Sequence, residues 1–267
     1  MDLYYREYGE GYPLIILHGL YGSSDNWISI AGELSDSYRV ILPDLRNHGR
    51  SAHDPVHSYE AMSKDLYELA TRLDTGKFIL AGHSMGGKAA AYFARQWPEM
   101  LAGLVVIDIS PFKEHPEQSI SGSVHELILK KMTETNPSEI KNRKEADRLF
   151  REVSPSVKVR NFLLKNLHRN NKGVFEWRLN PEYLYDQLDN IYDGLDIPGT
   201  DETEPISGFP VFFLRAMESG YIREDDYKPI QRLFPAAEII EVPGTSHWIH
   251  AEKPELIIKL IKENFPV

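Results

Sequence analysis

Gly82-His83-Ser84-Met85-Gly86 constrains this chain more than any other stretch, because of what flanks it. Before it runs FILAG, a strand-length apolar segment; after it runs MGGKAAAYFA, a helical one. A serine in G-x-S-x-G between a strand and a helix sits on a turn so sharp that its hydroxyl stands exposed. Side chains two residues to either side are expected to collide with the opposite limb, which explains both glycines. The positive end of the following helix favours an anion developing beside that hydroxyl. Ser84 is therefore the candidate nucleophile, and it needs a sheet whose strands feed helices.

The rest of the chain supplies one. Apolar segments at 13–19, 38–44, 76–84, 101–110, 209–216 and 237–244 read as strands. Most are near-continuously hydrophobic, as strands covered on both faces must be. Helical patterns at 59–73, 85–97, 225–234 and 252–265 alternate with them. That alternation implies an α/β class with a doubly wound, mostly parallel sheet and right-handed crossovers. It breaks once: from about Phe112 to Gly208 no convincing strand is found, and the segment is helical, polar and basic. The expected organisation is a core of residues 1–111 and 209–267, with 112–208 a helical cap inserted after the strand that ends near Asp108, all one continuous unit.

Composition removes several classes of function. The chain has no cysteine, hence no thiolate nucleophile and no zinc–thiolate site. A formal charge of −10 argues against a nucleic-acid partner. No apolar run approaches a bilayer span, and the N-terminus carries no basic and apolar leader, so a cytoplasmic location is expected. The charge is uneven. Residues 141–172 hold ten Lys/Arg against three Asp/Glu, a local +7.

A neutral imidazole must reach Ser84 from another loop. His247, in VPGTSHW, follows the last apolar strand and gives the chain order nucleophile, acid, base. His250 lies three residues on, but no third ligand stands at metal spacing, so no metal is expected. His18-Gly19-Leu20 follows the first core strand. Its Leu20 N–H and that of Met85 are the candidate oxyanion donors, and His18 is expected to fix the loop by hydrogen bonding.

Four blocks together resemble the abhydrolase domain-containing proteins, whose bacterial members include the YbfF-type esterases: LPDLRNHGRS at 42–51, GHSMGGKAA at 82–90, VVIDISP at 105–111 and SHWIHAEKP at 246–254. FLLKN at 162–166 and EWRLN at 176–180 extend the likeness into the cap. The resemblance implies an α/β-hydrolase fold and hydrolysis of small-molecule carboxylic esters or acyl thioesters without a cofactor. It also implies that Trp177 and Arg178 line the pocket. Ser246 and Ala216 depart from the family, which commonly has glycine at both places.

The acid is the least constrained member. In most enzymes of this fold it lies just past the strand PVFFLR, where this chain has Ser219. Asp108 closes the neighbouring apolar strand, one position of about 4.8 Å over. A carboxylate there needs a partner. Asp108 is the first choice, with Glu218, Asp225 and Asp226 left open. In the cap, Val159, Phe162, Leu163 and Leu167 are read as one apolar helical face, which either packs on the core as a lid helix with its charges in solvent or roofs an acyl pocket with a basic rim able to attract an anionic leaving group. Two other functions share these residues: a same-fold carbon–carbon lyase or hydrolase of the menaquinone-pathway type, and a ligand receptor that has kept the triad.

Overall fold

The computed structural model describes residues 1–114, 122–197 and 204–265. Seven strands form the main sheet: β1 (Tyr5–Tyr8), β2 (Tyr12–Leu17), β3 (Tyr38–Pro43), β4 (Phe78–His83), β5 (Leu101–Ile107), β8 (Val211–Ala216) and β9 (Ala237–Val242). Their order is β1-β3-β2-β4-β5-β8-β9. All neighbours are parallel except β1, which runs antiparallel to β3. The expected α/β-hydrolase fold with a mostly parallel sheet is the fold observed.

Because side chains alternate along a strand, each strand serves two apolar layers. Ile15, Leu80 and Val106 join one cluster with α2 (Tyr59–Arg72) and α3 (Met85–Gln96). Leu14, Ile16, Ile79 and Val105 join the other with α1 (Ile28–Leu34) and α11 (Pro254–Asn264). Burial on both faces explains why these strands read as continuous apolar runs. β1 escaped the sequence reading because YREY is a partly exposed, charged edge strand.

The segment between β5 and β8 holds α4 (Gly122–Glu134), α5 (Arg143–Leu149), α6 (Val157–Leu163), α7 (Pro181–Asp186) and α8 (Leu188–Tyr192). It also holds an antiparallel pair, β6 (Leu167–Arg169) and β7 (Phe175–Trp177), where no strand was expected. Three-residue strands are too short to show a period. Leu167 consequently lies in β6 rather than on a helical face with Val159, Phe162 and Leu163. The chain closes with α9 (Glu224–Leu233), α10 (Ile249–Glu252) and α11.

Backbone hydrogen bonds fasten the inserted segment to the core. Asn180 N–H donates to the Asn47 carbonyl (3.0 Å), and Leu195 N–H to Pro111 (2.8 Å). Lys88, fully buried on α3, reaches the carbonyls of Tyr192 (3.3 Å) and Asp193 (2.7 Å) and pairs with Glu114 (2.9 Å). Among the described residues, no helix is long and apolar enough to cross a membrane.

Candidate active site

Ser84 stands at the junction of β4 and α3 with φ 53° and ψ −125°, a strained conformation for any residue but glycine. The flanking glycines are required by packing. A Cβ on Gly82 would lie 2.2 Å from the Gly86 carbonyl oxygen, the opposite limb of the turn. A Cβ on Gly86 would instead strike the end of β2, 2.5 Å from the His18 carbonyl oxygen. Ser84 N–H donates to the Ile107 carbonyl (3.0 Å), and the Ser84 carbonyl accepts from Gly87 (2.7 Å) and Lys88 (3.1 Å). The elbow is thus tied to β5 and to its own helix, while the side chain stays partly exposed.

His247 and Asp108 meet. The imidazole Nδ1–H donates to Asp108 Oδ2 at 2.8 Å, which leaves Nε2 as the acceptor of the neutral ring. Asp108 is fully buried, and its second oxygen accepts the Ala216 N–H at 2.9 Å. The carboxylate therefore sits between the ends of β5 and β8, with a charge compensated on both oxygens. The Tyr221 ring stacks on His247 with centroids 4.1 Å apart. His83 Nε2–H donates to the His247 carbonyl at 2.8 Å, and burial holds the His83 ring neutral.

The other candidates for the acid are not the ones His247 bonds, although Glu218 and Asp226 also line its cavity. Glu218 is exposed on the rim of the cavity described below. Asp225 and Asp226 are in the first turn of α9, where Asp226 accepts the Arg223 N–H at 2.7 Å. Ser246 is anchored by Glu252, which accepts its N–H (2.8 Å) and its hydroxyl (2.7 Å). Burial raises the Glu252 carboxyl, yet the hydrogen bonds from Lys158 and Ser246 outweigh it and hold it at about 2.

The loop after β2 approaches the elbow closely. A Cβ on Gly19 would lie 3.1 Å from Ser84 Cβ. His18 fixes this loop: Nδ1 bonds the Gly19 carbonyl and Nε2 accepts the Leu45 N–H, both at 2.9 Å. Leu20, Ser84 and Met85 share the wall of one small recess. Among the described residues, neither the Leu20 nor the Met85 N–H donates to a protein acceptor.

Ser84 and His247 open into a cavity of about 730 Å³, within the usual range for a small-molecule site. Val159, Phe162 and Leu163 of α6 line it, as does Ile128 of α4. Phe162 meets Trp248 edge-to-face with centroids 4.4 Å apart. Trp177 and Arg178 do not line it, contrary to expectation. Trp177 lies on β7 and packs against Phe150 (5.9 Å), while Arg178 points to Asp25 (3.7 Å).

The charges of residues 141–172 do not line the cavity either. Arg143 caps the carbonyls of Leu164 and Leu167, Arg160 pairs with Asp147, and Lys158 pairs with Glu252. Arg143 and Arg160 thus tie the segment to itself, whereas Lys158 ties it to α10. Two residues that sequence patterns did not single out do line the cavity: Tyr221, on the base, and His125, whose Nδ1 is 3.2 Å from the Tyr21 hydroxyl. His250 also lines it. It stacks on Trp27 (5.0 Å), and burial, then the nearby His247, push it down to about 4. Among the described residues, no group of three His, Cys, Asp or Glu side chains could hold a metal ion.

A family model described as the alpha/beta hydrolase fold matches residues 12–254. The sn-1-specific diacylglycerol lipase ABHD11 of Danio rerio is 40% identical over 248 residues, covering 92% of this chain and 76% of that protein. Esterase YbfF of Escherichia coli strain K12 is 33% identical over 252 residues, covering 94% and 91%. A solved structure described as a marine microorganism esterase is 40% identical, covers 99% of each chain and superposes with a TM-score of 0.92.

Proposed function

This chain belongs to the alpha/beta hydrolase fold family, among its abhydrolase-domain esterases, and on that premise we propose a Ser84-His247-Asp108 mechanism through an acyl-enzyme. It is a carboxylic ester hydrolase. The observation that carries the finer reading is the 2.8 Å bond from His247 to buried Asp108, on the wall of the cavity that Ser84 enters.

The chemistry follows from those positions. Asp108 holds the Nδ1–H of His247, so Nε2 faces the cavity with its lone pair. As Ser84 Oγ attacks the ester carbonyl, its proton passes to Nε2. The tetrahedral oxyanion is held by the Leu20 and Met85 N–H groups, which have no acceptor among the described residues. Collapse breaks the ester bond, and the alcohol or thiol leaves with the proton from His247. Water then attacks the acyl-enzyme by the same steps and regenerates Ser84.

The acyl chain lies against Phe162, Leu163 and Ile128, an apolar wall suited to a hydrocarbon. Residues 112–208 act as the cap that supplies this wall, over a core of residues 1–111 and 209–267. The substrate class is a small-molecule ester or thioester with an apolar acyl group. Ser84→Ala should lose about 10⁴–10⁶ in kcat toward an aryl ester and retain the fold by circular dichroism. Retention of substantial turnover would overturn the assignment.

A further inference from the structure

Tyr21 occupies a place that ordinarily calls for glycine. Residues 19–22 close as a β-turn, with Gly22 N–H donating to the Gly19 carbonyl at 2.9 Å. Tyr21, its third residue, has φ 63°. A positive φ at that place is the mark of a type II turn and crowds any side chain against the backbone. A turn with negative φ at Tyr21 differs from this one by a flip of the Leu20–Tyr21 peptide plane.

Three contacts hold Tyr21 in this turn. The Tyr21 N–H donates to His48 Nε2 at 3.3 Å. Its carbonyl accepts from the Asn166 side-chain amide at 2.8 Å. Its hydroxyl lies 3.2 Å from His125 Nδ1. His48 belongs to the core, but Asn166 and His125 both come from the inserted segment. Asn166 is 4% exposed, in the single turn between α6 and β6, and its amide also donates to the Leu163 carbonyl at 3.2 Å. Thus a buried amide of the cap is committed to a strained carbonyl of the core, one residue past Leu20.

We propose that Asn166 is a positioning residue for the oxyanion hole. By holding the Tyr21 carbonyl it pins the 19–22 turn as a unit against the elbow, and so fixes where the Leu20 N–H stands relative to the developing negative charge. This rests on the oxyanion reading of Leu20 given above. A donor that is aimed before the reaction stabilises the oxyanion fully; one that must first reorient does so less. Docking of the cap and completion of the catalytic machinery then become a single event.

The test compares Asn166→Leu with the wild-type enzyme on an aryl ester, per titrated active site. Inhibition by phenylboronic acid, whose tetrahedral serine adduct mimics the oxyanion, is measured in parallel. The variant should lose about ten- to a hundredfold in kcat, less than the loss of a whole donor, with KM nearly unchanged. Boronate affinity should fall by the same factor as kcat/KM. The pH profile should keep its wild-type midpoint, because the His247–Asp108 pair is untouched. A merely structural asparagine would lower the melting temperature and leave kcat per site and boronate affinity intact, which would overturn the proposal. A fall in kcat with unchanged boronate affinity would overturn it too. If Asn166→Leu does not accumulate as folded protein, Asn166→Ser, whose hydroxyl is too short to span to Tyr21, is subject to the same criteria. Ser84→Ala, run alongside, separates the two levels: persistent activity there removes the nucleophile and oxyanion readings themselves, whatever Asn166→Leu does.

Discussion

Asp108 leaves β5 with φ 49°, a left-handed conformation that aspartate tolerates better than most residues, and this turn directs its carboxylate sideways toward β8. There one oxygen takes a backbone N–H and the other takes the imidazole. Asp108→Asn keeps the shape but offers His247 an amide, which disfavours the tautomer that leaves Nε2 unprotonated. It should lose roughly 10⁴ in kcat, whereas Glu218→Gln, altering an exposed rim residue, should stay close to wild type. Steady-state kinetics of the pair decides it; near-wild-type turnover by Asp108→Asn would assign the acid elsewhere. The pairing of Asp108 with His247 was legible in the sequence because a carboxylate closing an apolar strand demands a partner. The places of Ser84 at the elbow and of His247 beside the cavity were legible because each follows a strand at a loop with its own signature. Tyr21, His125 and Tyr221 were not. They are marked by a turn dihedral and by ring contacts between residues well separated along the chain, which no local pattern encodes.

At the scale of elements, the buried strands of the main sheet were readable because two-sided burial makes them uniformly apolar. The inserted segment was less readable, since short helices and a three-residue ladder share no single period. The β6–β7 pair carries Trp177 away from the cavity and into the packing around Phe150, while α6 presents Phe162 to the cavity. The two aromatics should therefore respond differently to truncation. Phe162→Ala should shift the optimum acyl length upward, read as kcat/KM across a series of aryl esters, with little change in melting temperature. Trp177→Ala should destabilise the fold by about 3 kcal/mol, read by urea unfolding, and keep the wild-type chain-length profile. An altered profile in Trp177→Ala would return that residue to the pocket.

Among the described residues, seven histidines have pKa values depressed by burial: His18, His48, His53, His57, His83, His125 and His250, with His57 at about 3 and His125 and His250 at about 4. In the unfolded chain these rings titrate near the ordinary 6.5, so below that pH the unfolded state binds protons that the native state refuses. Stability is then full above about pH 6.5 and falls as pH drops toward 4, by about 1.4 kcal/mol per pH unit for each proton of difference. Urea midpoints measured at pH 7.5, 6 and 5 should decline steadily; equal midpoints would mean that the rings are not buried neutral. The same burial keeps charge away from the cavity walls formed by α4 and α6, where an apolar acyl chain is to lie beside one activated hydroxyl. That activation is the central claim, and covalent labelling by a fluorophosphonate tests it most directly. Intact-mass analysis of the labelled enzyme should show a single phosphonyl adduct, mapped by peptide sequencing to Ser84, with ester turnover lost in proportion. An enzyme that turns over esters yet takes no adduct, or takes it at another residue, would contradict the account.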